Sequence, residues 1–242
     1  MKLSILIPAF NEEKTIEQVV NHSFKELSFL QEKKLLKDFE IIIVNDGSKD
    51  QTGKIVKKEF QDQEKIKIIE HMENQGKGAA IITALEMASG DYILIQDADL
   101  EYNPKDYESL WMPIKNFEAE VVFGSRFRTK PAQLVSFYQI MGNKLLTKIS
   151  NIFTGFNLTD METGYKLIKT SLIKNMNLKS NDFRIEPEIT AKLSTIPGVR
   201  IKEIAISYKP RTYGEGKKIR LKDGILALIY ILKYSKSQLN KY

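Results

Sequence analysis

The sequence predicts an α/β fold: a doubly wound, mostly parallel sheet with helices on both faces. Three observations carry that expectation. Strand-like and helix-like stretches alternate along the first half of the chain, the pattern of successive βαβ units. Three strand-like runs are continuously β-rich, Glu40-Ile41-Ile42-Ile43-Val44, Lys65-Ile66-Lys67-Ile68-Ile69 and Tyr92-Ile93-Leu94-Ile95, which suits strands buried on both faces. Each strand is followed by a polar, turn-forming segment, on the side where open parallel sheets bind ligands.

Taken in order, strands are expected near 3–7, 40–45, 65–70, 91–96 and 120–124. Helices are expected between them, near 12–36, 51–61, 77–89 and 104–117. Beyond about residue 130 the periodicity changes. A helix is expected from Val135 to Phe153, an acidic one from Ile185 to Leu193, and a strand from Val199 to Tyr208. A basic loop follows, then a closing helix from about Leu221 to Ser235. No internal repeat, low-complexity tract or long linker interrupts this order, so one domain with a C-terminal extension accounts for 242 residues.

Composition narrows the functional classes. An apolar fraction of 42% allows a sizeable core. There is no cysteine, which excludes disulfides and Cys-based zinc sites and fits a reducing cytoplasm. The N-terminus enters the run Leu3-Ser4-Ile5-Leu6-Ile7 without the basic and longer apolar regions of a secretion signal. The longest apolar candidate, Ile225 to Leu232, is far too short to span a bilayer. A cytoplasmic chain is therefore expected. The net charge of +6 invites an anionic partner. Nucleic acid is not that partner, because the basic cluster lacks a base-stacking aromatic array and the loops after the strands are acidic.

The central motif is Gln96-Asp97-Ala98-Asp99-Leu100-Glu101. On an extended strand, residues two apart point the same way, so Asp97 and Asp99 would face one point. A hard divalent cation, Mg²⁺ or Mn²⁺, relieves the repulsion and shares its oxygen ligands with a diphosphate. Glu101 would add a third oxygen. A lone Asp-x-Asp also describes a surface turn; its place after an apolar strand favours the metal.

The other loops are read against the same background. Asn45-Asp46-Gly47-Ser48 is a turn signal in which the Asp46 carboxylate suits a nucleobase or ribose. Asn74-Gln75-Gly76-Lys77-Gly78 opens a helix, where glycines and a helix N-terminus favour an anion and Lys77 suits a nucleotide. It lacks the Walker pattern. Arg126, in Gly124-Ser125-Arg126, and Arg211, with Lys217, Lys218, Arg220 and Lys222 nearby, suit phosphates. Asp160-Met161-Glu162-Thr163-Gly164-Tyr165-Lys166 either presents carboxylates to an acceptor or caps a turn. Arg184-Ile185-Glu186-Pro187-Glu188 reads as helix-start chemistry. His22 and His71 form no ligand set and read as incidental.

With Ser4-Ile5-Leu6-Ile7-Pro8-Ala9-Phe10-Asn11-Glu12-Glu13, Val44-Asn45-Asp46-Gly47-Ser48, Asn74-Gln75-Gly76-Lys77-Gly78, Asp97-Ala98-Asp99-Leu100, Gly124-Ser125-Arg126 and Arg211-Thr212-Tyr213-Gly214-Glu215-Gly216-Lys217-Lys218 in this order, the chain resembles a family 2 glycosyltransferase of the GT-A fold, nearest the dolichyl-phosphate mannose synthase type. The resemblance covers roughly residues 2–235. It implies a sugar transferred with inversion from a GDP- or UDP-linked donor to a polyprenyl phosphate. It implies that Pro8, Phe10, Glu12, Asp46, Lys77, Asp97 and Ala98 hold the donor and that Asp97, Asp99 and Glu101 bind the metal. Arg126, Arg211 and Lys218 would meet phosphates, with Asp97, Asp99, Arg126 and Arg211 as the catalytic group. Residues 1–130 would form the nucleotide-sugar core, 131–219 the acceptor side, and 220–242 an amphipathic helix.

Glu101 is a departure, because mannose synthases of this type often carry Gln or Ser there. An acceptor phosphate is largely ionised near neutral pH, with a second pKa of about 6, and needs little help from a base. A saccharide hydroxyl acceptor, the alternative, would need one, and Asp160, Glu162 and Glu186 are the candidates. A nucleotidyltransferase would carry a Gly-rich loop after the first strand, which Pro8-Ala9-Phe10-Asn11 replaces. A non-catalytic nucleotide-sugar binder fits the intact acidic set poorly. Ile225, Leu228, Ile229 and Leu232 share a helix face beside the basic cluster, which suits an anionic membrane surface at the inner face. Packing on the protein itself, on a second copy or on a small membrane partner suits it equally.

Overall fold

The computed structural model describes residues 1–128, 137–211, 229, 231 and 233–235. The chain runs β1 (Lys2–Ala9), α1 (Ile16–Glu32), β2 (Asp38–Asp46), α2 (Thr52–Phe60), β3 (Ile66–His71), α3 (Lys77–Met87) and β4 (Tyr92–Ile95). A 3₁₀ turn (Pro104–Asp106) leads into α4 (Tyr107–Lys115) and β5 (Val121–Ser125). Then come α5 (Phe137–Thr154), β6 (Lys166–Lys169), α6 (Thr170–Asn175), α7 (Ile185–Leu193) and β7 (Ile201–Ala205).

Among the described residues the strands form one sheet in the order β3-β2-β1-β4-β6-β5-β7. Pairing is parallel except at β6, which is antiparallel to both β4 and β5. The continuous apolar runs have a direct cause. Successive strand side chains point to opposite faces, and helices cover both. Ile5, Ile7, Ile41 and Ile43 pack with Val19, Val20 and Leu27 of α1 and with Trp111 of α4. Leu6, Ile42, Val44, Ile93 and Ile95 pack the other way, with Ala80, Ile81 and Ala84 of α3 and Ile185, Ile189 and Leu193 of α7. Each large apolar side chain buried this way contributes about 1.5–3 kcal/mol relative to exposure.

Away from the candidate site, at the amino ends of the strands, Glu40 is almost fully buried. It accepts hydrogen bonds from Ser4 Oγ at 2.6 Å and the Ser89 backbone N–H at 2.7 Å, with Lys67 Nζ at 2.9 Å. Burial pushes its pKa up, but the bonds from Ser4, Lys67 and Ser89 outweigh that and draw it down to about 2.

Two features depart from the expected order. β6 was not foreseen: it is four residues long, and α6 begins at the next residue. Being antiparallel, it starts where its neighbours end, so 160–165 is delivered to the carboxyl edge of β4. The second departure is β4, which ends at Ile95. Asp97, Asp99 and Glu101 therefore lie in a bend beyond the strand, and strand alternation does not aim them.

Most of the expected closing helix, including Ile225, Leu228 and Leu232, lies outside the described residues, as do Lys217, Lys218, Arg220 and Lys222. Of its described residues, Ile231 is fully buried, Ile229 is 51% exposed, and Lys192 Nζ of α7 stands 4.7 Å from the Tyr234 ring centroid. Among the described residues no helix is long and apolar enough to cross a membrane.

Candidate active site

The carboxyl ends of β1 to β4, the start of α3 and the segment 208–211 converge. Asp46, 2% exposed at the end of β2, holds the loop that leads into α3. Its Oδ1 accepts from the Gln75 N–H at 2.9 Å and lies 2.7 Å from His71 Nδ1; its Oδ2 accepts from the Gly76 N–H at 2.8 Å. Gly76 has φ +99°, and a Cβ there would stand 2.3 Å from the Asn181 carbonyl oxygen, so only glycine fits this turn. His71 is thus not incidental. It bridges Asp46 to Thr83 of α3, with Nε2 3.0 Å from Thr83 Oγ1.

The loop so held delivers Lys77 to Asp97. Lys77 Nζ lies 2.6 Å from Asp97 Oδ1 and 3.1 Å from Glu186 Oε1. Burial works against its charge, but Asp97 and Glu186 outweigh that and keep it protonated far above the usual lysine range. Glu186 is 4% exposed and also pairs with Lys166, itself fully buried. Glu186 therefore does more than start a helix: it links two buried lysines, one of which reaches the site. Gly164 closes this corner, since a Cβ there would come within 2.6 Å of Asp97 Oδ2.

Asp99 faces a different cation. Arg211 Nη2 lies 2.7 Å from Asp99 Oδ2, and the same guanidinium donates to both Glu12 oxygens at 3.0 Å. Thr15 Oγ1 donates to Glu12 Oε2 at 3.0 Å and to the Ala98 carbonyl at 2.9 Å, joining the β1 and β4 loops. Pro8 and Phe10 are half-buried at the end of β1, and Ala98 is buried. Glu12, Lys77, Asp97, Asp99 and Arg211 are thus brought together from four separate stretches of sequence.

Glu101 is not aimed with them. Its Oε1 accepts from the Arg211 N–H at 2.7 Å and its Oε2 from the Tyr208 hydroxyl at 2.8 Å. Among the described residues no three His, Cys, Asp or Glu side chains gather as a metal-ligand set. The three-carboxylate expectation is corrected accordingly: it assumed strand alternation where the chain bends. Asp97 and Asp99 still fit a hard divalent ion, as half-buried oxygen donors whose remaining positions a diphosphate and water can fill.

Arg126 is also corrected. It is 7% exposed, and its Nε and Nη2 donate to the two Asp160 oxygens at 2.7 Å each. The pair is buried under the Tyr208 ring, 5.1 Å from the guanidinium carbon, and is not presented to a phosphate. Asp160, 0% exposed, neither faces an acceptor nor caps an open turn. Lys218 lies outside the described residues.

The family model described as Glycosyl transferase family 2 matches residues 4–176, most of the chain and all of this site except the 208–211 segment and Glu186. The chain belongs to glycosyl transferase family 2. It is 28% identical over 227 residues to the low-salt glycan biosynthesis hexosyltransferase Agl6 of Haloferax volcanii, covering 92% of this chain and 51% of that protein. It is 29% identical over 213 residues to the dolichyl-phosphate beta-glucosyltransferase ALG5A of Trichomonas vaginalis, covering 85% and 65%. The chain thus spans about half to two thirds of the length of these relatives. Its fold is that of GT-A glycosyltransferases. It superposes with TM-score 0.69 and 17% identity on glucosyl-3-phosphoglycerate synthase from Mycobacterium tuberculosis, solved with Mn²⁺, UDP and phosphoglyceric acid, covering 97% of this chain and 78% of that one.

Within this family 2 domain, several site residues had no sequence signal. Gln96 is fully buried and accepts from the Tyr107 and Tyr165 hydroxyls at 2.7 and 2.6 Å, while its Nε2 donates to the Asp97 carbonyl at 2.8 Å. The Tyr102 hydroxyl oxygen accepts from the Gly164 N–H at 2.7 Å. Tyr165 and Gly164 lie more than sixty residues from Gln96 and Tyr102, and only the fold joins them. Glu162 differs from its neighbours. Its Oε1 is buried with no hydrogen-bond partner among the described residues, and burial pushes its pKa up to about 7.

Proposed function

We propose that the protein transfers a hexose from a GDP- or UDP-linked donor to a polyprenyl phosphate, with Mg²⁺ or Mn²⁺ held by Asp97 and Asp99. The observation that carries this reading is the meeting of Asp97 and Asp99 with Lys77 and Arg211 at the carboxyl edge of a family 2 sheet. The name of the Trichomonas relative, a dolichyl-phosphate glucosyltransferase, supports the acceptor class, and the Mn²⁺ and UDP of the structural neighbour support the donor class.

Asp97 and Asp99 would hold the divalent ion, which would supply positive charge to offset that of the diphosphate leaving group. The residues around it do the rest. Lys77 is held charged beside Asp97 and Glu186, so its cation already stands at the site to meet a phosphate when a metal takes Asp97. Arg211 offers a planar fork to a second phosphate. Pro8, Phe10, Glu12 and Ala98 line the nucleoside side. Asp46 acts first by fixing the loop that carries Lys77, and its Oδ2, with one hydrogen bond in place, keeps capacity for a ribose or base. Lys218 and the basic residues beside it would take the acceptor phosphate at the anionic inner face of a membrane. An ionised acceptor phosphate attacks the anomeric carbon in line and needs no base.

A second reading, transfer to a saccharide hydroxyl, is favoured by one observation. Glu162 has a free buried oxygen and a pKa near 7, the properties of a general base. One assay separates the two. Labelled nucleotide sugars are offered with polyprenyl phosphate, with soluble glycans, or with neither. Label entering the organic phase only with the lipid, and Glu162→Gln retaining that activity, is the expected outcome. Transfer to soluble glycans, lost in Glu162→Gln, would establish the second reading instead.

A further inference from the structure

Glu101 ties the 208–211 segment down at three of its residues. Glu101 accepts from the Tyr208 hydroxyl at 2.8 Å and the Arg211 N–H at 2.7 Å through its carboxylate, and from the Lys209 N–H at 2.9 Å through its carbonyl. Tyr102, its neighbour, forms an antiparallel bridge with Tyr208. Both Glu101 carboxylate oxygens are therefore committed to this segment. The consequence lies at the far end of the Arg211 side chain. Its guanidinium bridges Glu12, at 3.0 Å to each oxygen, and Asp99, at 2.7 Å. A single cation thus fills the space between two carboxylates that would otherwise repel.

We propose that Glu101 is a positioning residue that acts through Arg211. It pins 208–211 so that Arg211 neutralises Glu12 and Asp99 in the free protein and meets the donor diphosphate when a divalent ion takes Asp99. This inference rests on the donor-site reading given above. The physical argument is short. Arg211 Nη2 lies 2.7 Å from Asp99 Oδ2, so a divalent ion held by that carboxylate would repel the guanidinium at close range. A diphosphate is the strongest acceptor then within reach. Holding the Arg211 backbone removes the backbone share of the entropy cost of placing the guanidinium. Glu101 accordingly contributes to diphosphate affinity without touching the metal.

The test measures Mn²⁺ affinity without nucleotide, then UDP and GDP affinity at saturating Mn²⁺. The proteins are wild type, Glu101→Gln, Tyr208→Phe, Arg211→Ala and the double variant Glu101→Gln/Arg211→Ala. Glu101→Gln is expected to keep Mn²⁺ affinity within about threefold while weakening nucleoside diphosphate binding roughly tenfold, the scale of one charge-assisted hydrogen bond. Tyr208→Phe, which leaves every carboxylate in place, should shift binding in the same direction by less. The double variant should bind nucleotide no more weakly than Arg211→Ala. Arg211→Ala alone should bind Mn²⁺ more tightly, having lost its competitor. Loss of Mn²⁺ affinity in Glu101→Gln, or additive losses in the double variant, would overturn the inference and return Glu101 to the metal. A wild-type protein that binds neither UDP nor GDP with Mn²⁺ would instead sink the donor-site reading, and this inference with it.

Discussion

Glu162 carries an acid–base signature that the paired carboxylates around it lack. Its pKa of about 7 stands above the ordinary 4.5 because burial disfavours the charge and Lys166 compensates only in part. Between pH 4.5 and 7 the folded protein therefore holds a proton that the unfolded chain has released, and stability falls as pH rises through that window. Glu162→Gln should remove this dependence. Relative to wild type it should gain about 1–2 kcal/mol between pH 4.5 and 7.5, with partial exposure discounted. Melting curves that stay parallel over that range would refute the shift. The Asp160–Arg126 pair makes the opposite case. Asp160→Ala leaves a guanidinium buried without its partner and should cost about 3–5 kcal/mol in denaturant unfolding. A loss below about 1 kcal/mol would mean that Arg126 escapes to solvent. At this scale the sequence identifies Asp97, Asp99, Lys77 and Arg211 by their place after strands. It does not reveal which carboxylates are already paired, because Asp160 meets Arg126 only through the insertion of β6, and Glu101 meets Arg211 across more than a hundred residues.

Among the elements, the first five strands were legible because they are short β-rich runs punctuated by turn residues, and the central ones, covered on both faces, are almost wholly apolar. β6 was not legible. Four residues, Lys166-Leu167-Ile168-Lys169, begin and end with lysine and pass directly into a helix, so neither length nor punctuation marks them. The bend after β4 escaped for a related reason. Asp97-Ala98-Asp99 looks like a strand continuing, but Gln96 turns inward to two tyrosines and its amide caps the Asp97 carbonyl. At the opposite edge, the bonds that hold Glu40 join β1, β2 and the β4 lead-in. Glu40→Gln should destabilise the fold by about 1–3 kcal/mol near neutral pH, the range for a buried, charge-assisted contact. Because its pKa is lowered from 4.5 to about 2, that contribution is full above pH 4.5 and disappears as pH falls through 2. A variant as stable as wild type at pH 7 would contradict this role.

The whole molecule places chemistry on one edge of the sheet and structural charge pairs elsewhere. Family 2 membership rests on the match over residues 4–176, and the GT-A fold on the sheet and its superposition. The proposed acceptor rests on the basic cluster around Lys218 and the closing stretch, most of which lies outside the described residues. Of that stretch, Ile231 is buried on the protein while Ile229 is exposed, so one part packs inward and another remains available to a surface. If the surface is an anionic membrane, co-sedimentation with anionic vesicles should exceed that with neutral ones and should weaken as salt is raised. Equal binding to both would remove the membrane from the account. The central claim is that Asp97 and Asp99 form the metal-dependent donor site. Its most direct test is sugar transfer by Asp99→Asn, whose amide keeps the size of the carboxylate but not its charge. The account predicts a loss of at least about 100-fold, the scale of removing one preorganised electrostatic contact, with the melting temperature unchanged within a few degrees. Turnover equal to wild type in a folded Asp99→Asn protein would contradict it.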